Sequence, residues 1–350
     1  MEPRRDIKEL SLEELADLFE KMGQPAFRAA QVYNWVFGQG VARFEDMTNL
    51  PQALRAELGR AFFISRLKIE EVQTSKDRTA KFLLRLRDGQ RIEAVLIPER
   101  DHWTLCASSQ VGCQMGCRFC LTGAGGLVRN LTPAEIIGQV QAAAEAALGL
   151  IPEGLPLSNI VFMGMGEPLA NLDNLLPALK VILDPRGLAF SWRKVTVSTV
   201  GLPQAMARLF EEVKVRLAIS LNGPDDETRN KIMPVNRRHP LDQLLAACRR
   251  LPLRPGERIT FEYVLLAGVN DSLDQAAKLV RLLAPVRAKV NLIPFNPHPA
   301  SPFERPSDET VAAFQARLRQ GNLTALVRRS MGADILAACG QLRARSARTG

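Results

Sequence analysis

The run VGCQMGCRFC, Val111–Cys120, decides how this chain is read. It sets Cys113, Cys117 and Cys120 in a CxxxCxxC spacing, with Phe119 immediately before the last thiol. A 4Fe-4S cluster held by protein alone takes four thiolates. Three leave one iron open, and S-adenosylmethionine (SAM) can close it through its amine and carboxylate, which brings its sulfonium near enough to accept an electron. Homolysis would then give a 5'-deoxyadenosyl radical. In such sites the cofactors carry the hard step while the protein binds and orients. Spacing alone leaves a zinc knuckle open, with Cys106 as fourth ligand, although zinc sites favour two close-set doublets.

Outward from this run, strand and helix patterns alternate. TLCASSQ, NIVFMG, KVTVST, VRLAISL, ITFEYVLL and KVNLIPF read as strands. Between them lie PAEIIGQVQAAAEAALG, NLLPALKVIL, LPQAMARLFEE, LDQLLAACRRL and SLDQAAKLVRLLA, with helical periodicity. Six such units predict an α/β fold, a partial (β/α)6 barrel of parallel strands with ligands at the strands' carboxyl ends. LTALVRR reads as a further strand leading into a cysteine-bearing tail. Upstream, SLEELADLFEKMG, FRAAQVYNWVFGQ and PQALRAELGRAF predict a small helical domain over residues 1–64, with Trp35 as a packing residue. LKIEEVQTS, TAKFLLRLRDGQ and RIEAVLIPE predict a β-rich linker over 65–100, and the barrel with its extension takes 101–350.

Composition narrows the class. The 350 residues are 46% hydrophobic, enough for a substantial core, and no window reaches the roughly 18 apolar residues of a membrane span. With no apolar run behind MEPRRDIKEL, the expected location is the cytoplasm, without membrane association. Three of the six cysteines fall within eight positions, which fits metal or catalytic use better than a secreted disulfide framework. A net charge of +9 suits a polyanion such as nucleic acid, and five arginines against one acid follow from Arg328 onward.

Further candidates sit at predicted strand ends. In GMGEP, Gly164–Pro168, two glycines allow close backbone approach to a ligand, and Glu167 can meet the amino group of a methionine moiety. Ser198, Ser220, Asn222 and Asn296 share that address and form a candidate SAM-lining set. Glu93 is a candidate inward carboxylate before the first barrel strand. Cys248 reads as core. Cys339 sits among arginines that would favour its thiolate.

Taken in order, LCASSQVGC, VGCQMGCRFC, GMGEP, SLNGPDDETRNKIMPVN, NLIPFNP and DILAACGQL resemble the RlmN/Cfr-type radical SAM RNA methyltransferases over nearly the whole chain. The resemblance implies that a radical SAM barrel carries a catalytic cysteine on its tail, and that the substrate is an adenosine of 23S rRNA or tRNA. By the same resemblance, Cys113, Cys117 and Cys120 hold one 4Fe-4S cluster. Gly166, Glu167, Ser198, Ser220, Leu221, Asn222 and Asn296 contact SAM, although the family often has His where Asn222 stands. Cys339 carries a methyl group, Cys106 resolves an RNA adduct through a transient disulfide with Cys339, and Glu93 accepts a proton. An external electron donor, such as a flavodoxin-type reductase system, is also implied. Carbon 2 of the adenine is the expected target. Cfr-like methylation at carbon 8, and an iron-sulfur RNA-binding redox sensor, are the competing readings.

Overall fold

In the computed structural model, residues 4–150, 156–298 and 300–344 are described, with backbone only for 148–150. The amino-terminal domain packs α1 (Leu12–Lys21), α2 (Phe27–Tyr33) and α3 (Gln52–Ala61). Helix α1 begins with a capping box: Ser11 Oγ accepts the Glu14 N–H while the Glu14 carboxylate accepts the Ser11 N–H. Trp35 packs on the core as expected and donates its indole N–H to Asn49. The domain docks through buried Lys8, whose ammonium donates to Ser65 O and Gln141 Oε1, each at 2.6 Å. Burial pushes Lys8 down to about 8.

The main sheet starts with an antiparallel meander, β1 (Lys68–Thr74), β2 (Ala80–Arg85) and β3 (Arg91–Pro98). β4 (Trp103–Cys106) follows, then a hairpin of β5 (Gln110–Gly112) and β6 (Leu127–Asn130), helix α4 (Pro133–Leu150), β7 (Leu157–Phe162) and α5 (Leu172–Leu183). Next come β8 (Val195–Thr199), α6 (Pro203–Glu212), β9 (Arg216–Ser220), α7 (Asp226–Ile232) and α8 (Leu241–Arg250). The last units are β10 (Ile259–Leu265), α9 (Leu273–Leu283), β11 (Ala288–Pro294), α10 (Asp308–Gln320) and β12 (Ala325–Val327). Ten strands run in the order β12-β11-β10-β9-β8-β7-β4-β3-β2-β1.

The six expected barrel strands are all present and parallel, with β12 added beyond β11. Two expectations change. The segment read as a linker is the antiparallel continuation of the same sheet, because β3 pairs with β4 (Leu96 against Leu105, Val95 against Cys106). The strand read as TLCASSQ ends at Cys106, although Ala107 N–H still donates to Val161 O of β7 and Ser109 N–H to Met165 O before the hairpin begins.

Strand alternation builds the two faces. Val195, Val197, Leu217, Ile219, Ile259, Phe261, Tyr263, Val290 and Leu292 are buried in the main core. Burying each such side chain stabilises the fold by about 1.5–3 kcal/mol. Thr196, Ser198, Arg216, Ser220, Thr260, Glu262, Lys289 and Asn291 take the alternate positions on the concave face, and all but buried Glu262 keep solvent access. Parallel strands covered on both faces read as unbroken apolar runs. These alternate because one face stays open. No described helix is long and apolar enough to cross a membrane.

Candidate active site

The cysteine loop is framed by the β5–β6 hairpin. Gly112, at φ +79°, ends β5 where a Cβ would lie 2.0 Å from Gly126 O. Cys113 N–H then donates to that carbonyl at 2.7 Å. Farther along, Arg118 N–H reaches Ile232 O and Cys120 N–H reaches Cys117 O. Only glycine fits at 112, and Gly112→Ala is expected to cost at least ~1–3 kcal/mol from overpacking and to displace Cys113. Thermal unfolding together with cluster content after reconstitution checks this. An unchanged midpoint with full cluster content would contradict it.

Burial pushes the Cys113 thiol up to about 12, with the charges of Glu167 and Cys120 adding to it. Burial also raises Cys117 well above the ordinary thiol range, with Cys120, Cys113 and Glu167 adding and Arg229 opposing. Three thiolates in so apolar a setting repel one another unless a cationic centre sits among them. Arg229 adds a buried positive charge near Cys117. It is fully buried, it donates to Leu221 O, Val200 O and Asn236 Oδ1, and no carboxylate pairs with it directly among the described residues. Cys117 is the foremost group favouring its charge. Phe119, Val200, Ile232, Met233, Val235, Leu266 and Phe295 form an apolar wall against Cys117 and Cys120. A three-thiolate iron-sulfur cluster fits this set. Among the described residues, no three His, Cys, Asp or Glu side chains converge on a single-ion position, whereas a cluster takes one thiolate at each of three corner irons.

Glu167 is buried beside these thiols. Its carboxylate accepts from Val200 N–H (2.8 Å) and Leu169 N–H (3.1 Å), and burial raises it to about 7 against those bonds. The glycines of GMGEP also let another segment of the chain come close. A Cβ at Gly164 would lie 2.8 Å from Ala107 O, and one at Gly166 would lie 2.6 Å from Gln110 Cβ. The close neighbour is therefore the Ala107–Gln110 segment of the chain itself.

The expected SAM-lining residues divide. Ser198 and Ser220 lie half-exposed on the concave face. Leu221 is fully buried, with its N–H on Glu262 O and its carbonyl taken by Arg229. Asn222 adopts φ +56°, and its buried amide bridges Val264 N–H and Met233 Sδ. Asn296 also turns to the protein, donating to Cys339 O at 3.2 Å and accepting from Ser330 Oγ.

The two thiols expected to cooperate come from β4 and from the carboxyl-terminal tail, and the charge of Cys339 acts on Cys106. Cys106 ends β4, 7% exposed, and its thiol is pushed up by burial and then by the charge of Cys339. Cys339 rides on a strap, residues 330–344, that crosses the mouth. Gly332 N–H donates to Asp77, Ser75 Oγ to Asp334 and Lys81 Nζ to Ile335 O. Leu121 N–H donates to Gly340 O, Thr122 Oγ1 to Leu342 O and Gln341 Nε2 to Pro297 O. Glu93 belongs to the same clasp: its carboxylate accepts Arg343 N–H at 2.7 Å and faces Lys81 Nζ at 3.5 Å, while burial raises its pKa.

Cys339 is exposed on the strap; its thiol is pushed up to about 11 by desolvation and then by the charge of Glu262, against the arginine effect expected from the sequence. Arg328 is the arginine that opposes this; Arg345 and Arg348 lie outside the described residues. Glu262 is a site residue that pattern reading passed over. It is a buried carboxylate on the concave face of β10, bonded to Asn291 Nδ2. The sign was in ITFEYVLL, where Glu262 takes the inward place between Phe261 and Tyr263. Cys248 is buried in α8, as expected.

Comparison with known proteins agrees with this geometry. Residues 108–280 match the Radical SAM superfamily, and residues 5–64 match the ribosomal RNA large subunit methyltransferase N-terminal domain. A dual-specificity RNA methyltransferase RlmN from Geotalea uraniireducens is 51% identical, covering 97% of both chains. Another, from Syntrophotalea carbinolica, is 52% identical over 97% of this chain and 90% of its own length. The crystal structure of a radical SAM methyltransferase from Sphaerobacter thermophilus superposes with a TM-score of 0.90 at 45% identity, covering 97% of this chain and 100% of that one. With three thiols on one loop, a buried cation near them and a further thiol carried on a strap, the chain belongs to the RlmN family of radical SAM methyltransferases.

Proposed function

We propose that this enzyme methylates carbon 2 of an adenosine in the peptidyl transferase region of 23S rRNA, and of an adenosine in the anticodon loop of tRNA, in the cytoplasm. The supporting observation is the juxtaposition of Cys106 and Cys339 beside the cysteine loop. Adenine carbon 2 is electrophilic and cannot displace a sulfonium methyl directly, so the methyl must pass through a carrier. Cys339 fits as carrier: its sulfur displaces the methyl of one SAM molecule, forming a thioether as the thiol proton leaves. Cys113, Cys117 and Cys120 would hold the cluster, which supplies the electron that cleaves a second SAM. Glu167, buried beside those thiols, suits the methionine ammonium, with Ser198 and Ser220 along the approach. The radical from that SAM would take one hydrogen from the methyl on Cys339, and the carbon would then join carbon 2 as the ring gives up its proton and returns one electron. Cys106 would attack the Cys339 sulfur while a proton goes to the released carbon, freeing the methylated base. The resulting Cys106–Cys339 disulfide needs two electrons from an external donor, such as a flavodoxin-type reductase system. Glu93, the expected proton acceptor, keeps free lone pairs beside its bond to Arg343 N–H, and burial raises its pKa toward that role.

The test is anaerobic incubation with SAM, dithionite and RNA, followed by mass spectrometry and NMR of the nucleosides. The expected products are 5'-deoxyadenosine, S-adenosylhomocysteine and 2-methyladenosine. Methyl at carbon 8 would overturn the position, and no methylated RNA would overturn the reading.

A further inference from the structure

Cations recur where consecutive barrel strands begin: Arg193 and Lys194 before β8, Lys214 and Arg216 at β9, Arg254 and Arg258 before β10, Arg287 and Lys289 at β11. Among the described residues none of these eight pairs with a carboxylate. Nearby helix cations do: Lys180 with Glu212, Arg208 with Asp173, Lys278 with Asp225. Three of the eight crowd one half-exposed indole, with Lys214 Nζ 3.8 Å, Arg193 Cζ 4.6 Å and Arg254 Cζ 5.6 Å from the Trp192 ring centre. Glu257 is the acid that offsets Lys214, and its carboxylate already accepts Arg254 N–H.

This cluster continues toward the thiols. On the concave face Lys289 is in register with Thr260, and Asn291 with Glu262, to which its amide donates. Arg328 N–H donates to Leu292 O on the same strand, just before the strap that carries Cys339. Arg216, Lys289 and Arg328, with the single carboxylate of Glu262 among them, therefore mark a line on the open face from the strap to the strand bases. Along the seven residues of β10 this is a drop of roughly 23 Å at about 3.3 Å per residue.

We propose that this line is a track for the substrate's RNA backbone, running from the reacting base at Cys339 to Trp192, where a base stacks or a phosphate meets the three cations. The inference rests on the RNA methyltransferase reading. RNA fits better than an acidic protein because the line starts where a base must arrive. The face is also polar and concave, and an aromatic ring set among cations is how single-stranded nucleic acid is held. Like charges crowded without counterions destabilise the free protein, and phosphates would relieve that.

The experiment compares the cluster-loaded enzyme with two variants, Arg193→Gln/Lys214→Gln/Arg254→Gln and Arg216→Gln/Lys289→Gln. Cluster absorbance and circular dichroism confirm that each is folded. The probe is a full-length tRNA transcript, titrated at several salt concentrations. Each lost phosphate contact flattens the log–log salt slope by about 0.7–0.9, so the triple variant, which loses the phosphate at Trp192, should flatten it by about that much and lower affinity at low salt. A stem-loop holding only the target adenosine and too short to reach Trp192 should bind the triple variant as it binds the wild type. Wild-type slope and affinity in both variants would overturn the track while wild-type methylation left the enzyme reading standing. Failure of the wild type itself to bind or methylate RNA would instead remove that reading. Slower cluster reduction by an acidic flavoprotein, with RNA affinity unchanged, would assign the surface to the electron donor and overturn the proposal.

Discussion

Cys106→Ala is expected to stall with protein covalently joined to RNA, whereas Cys339→Ala is expected to give neither methylated protein nor RNA product. The structure separates the two thiols by setting. Cys339 is solvent-accessible on a strap within reach of Glu262 and Cys120, where SAM would lie. Cys106 is buried at the end of β4, where the charge of Cys339 acts on it. A thiol so placed can act once Cys339 carries the RNA, but it is poorly placed to take a methyl from outside. On a denaturing gel the Cys106→Ala species should migrate slowly and collapse on nuclease treatment. Free 2-methyladenosine at the wild-type rate from Cys106→Ala would remove the resolving role. A trapped adduct in Cys339→Ala would move the carrier role to another residue.

Cys117→Ala should lose the iron-sulfur absorbance and bring SAM cleavage below detection, an effect of several orders of magnitude. Of the three loop thiols, Cys117 is the one beside Arg229. Without the cluster the Cys117 thiol, held well above the ordinary range, is neutral, so the cluster-free variant should melt close to cluster-free wild type and the loss should appear in cluster content. A variant that kept a full cluster and its turnover would refute the ligand assignment.

Much of this was legible in the sequence because its signals are local. The cysteine spacing lies within ten residues, and each barrel strand alternates visibly with buried Val, Leu, Ile or Phe on one side. What escaped depends on distant partners. Nothing in RIEAVLIPE says that it pairs with β4. Nor does it say that Glu93 will meet a backbone N–H 250 residues away. Asn222 and Asn296 were recognisable as polar groups at strand ends, but neighbours met only in the fold decide whether such an amide faces a ligand or another segment. The glycines of GMGEP show the same limit: pattern tells that something comes close, and here it is Ala107–Gln110.

The strap also imposes an order in time. A chain made from its amino end presents residues 113–120 and the barrel strands before residues 340–342 exist. Until those later residues arrive, Leu121 N–H and the Thr122 hydroxyl lack the carbonyls of Gly340 and Leu342. The thiols that would bind iron are thus made before the segment that bonds over them, and the thiol that would carry the methyl arrives last.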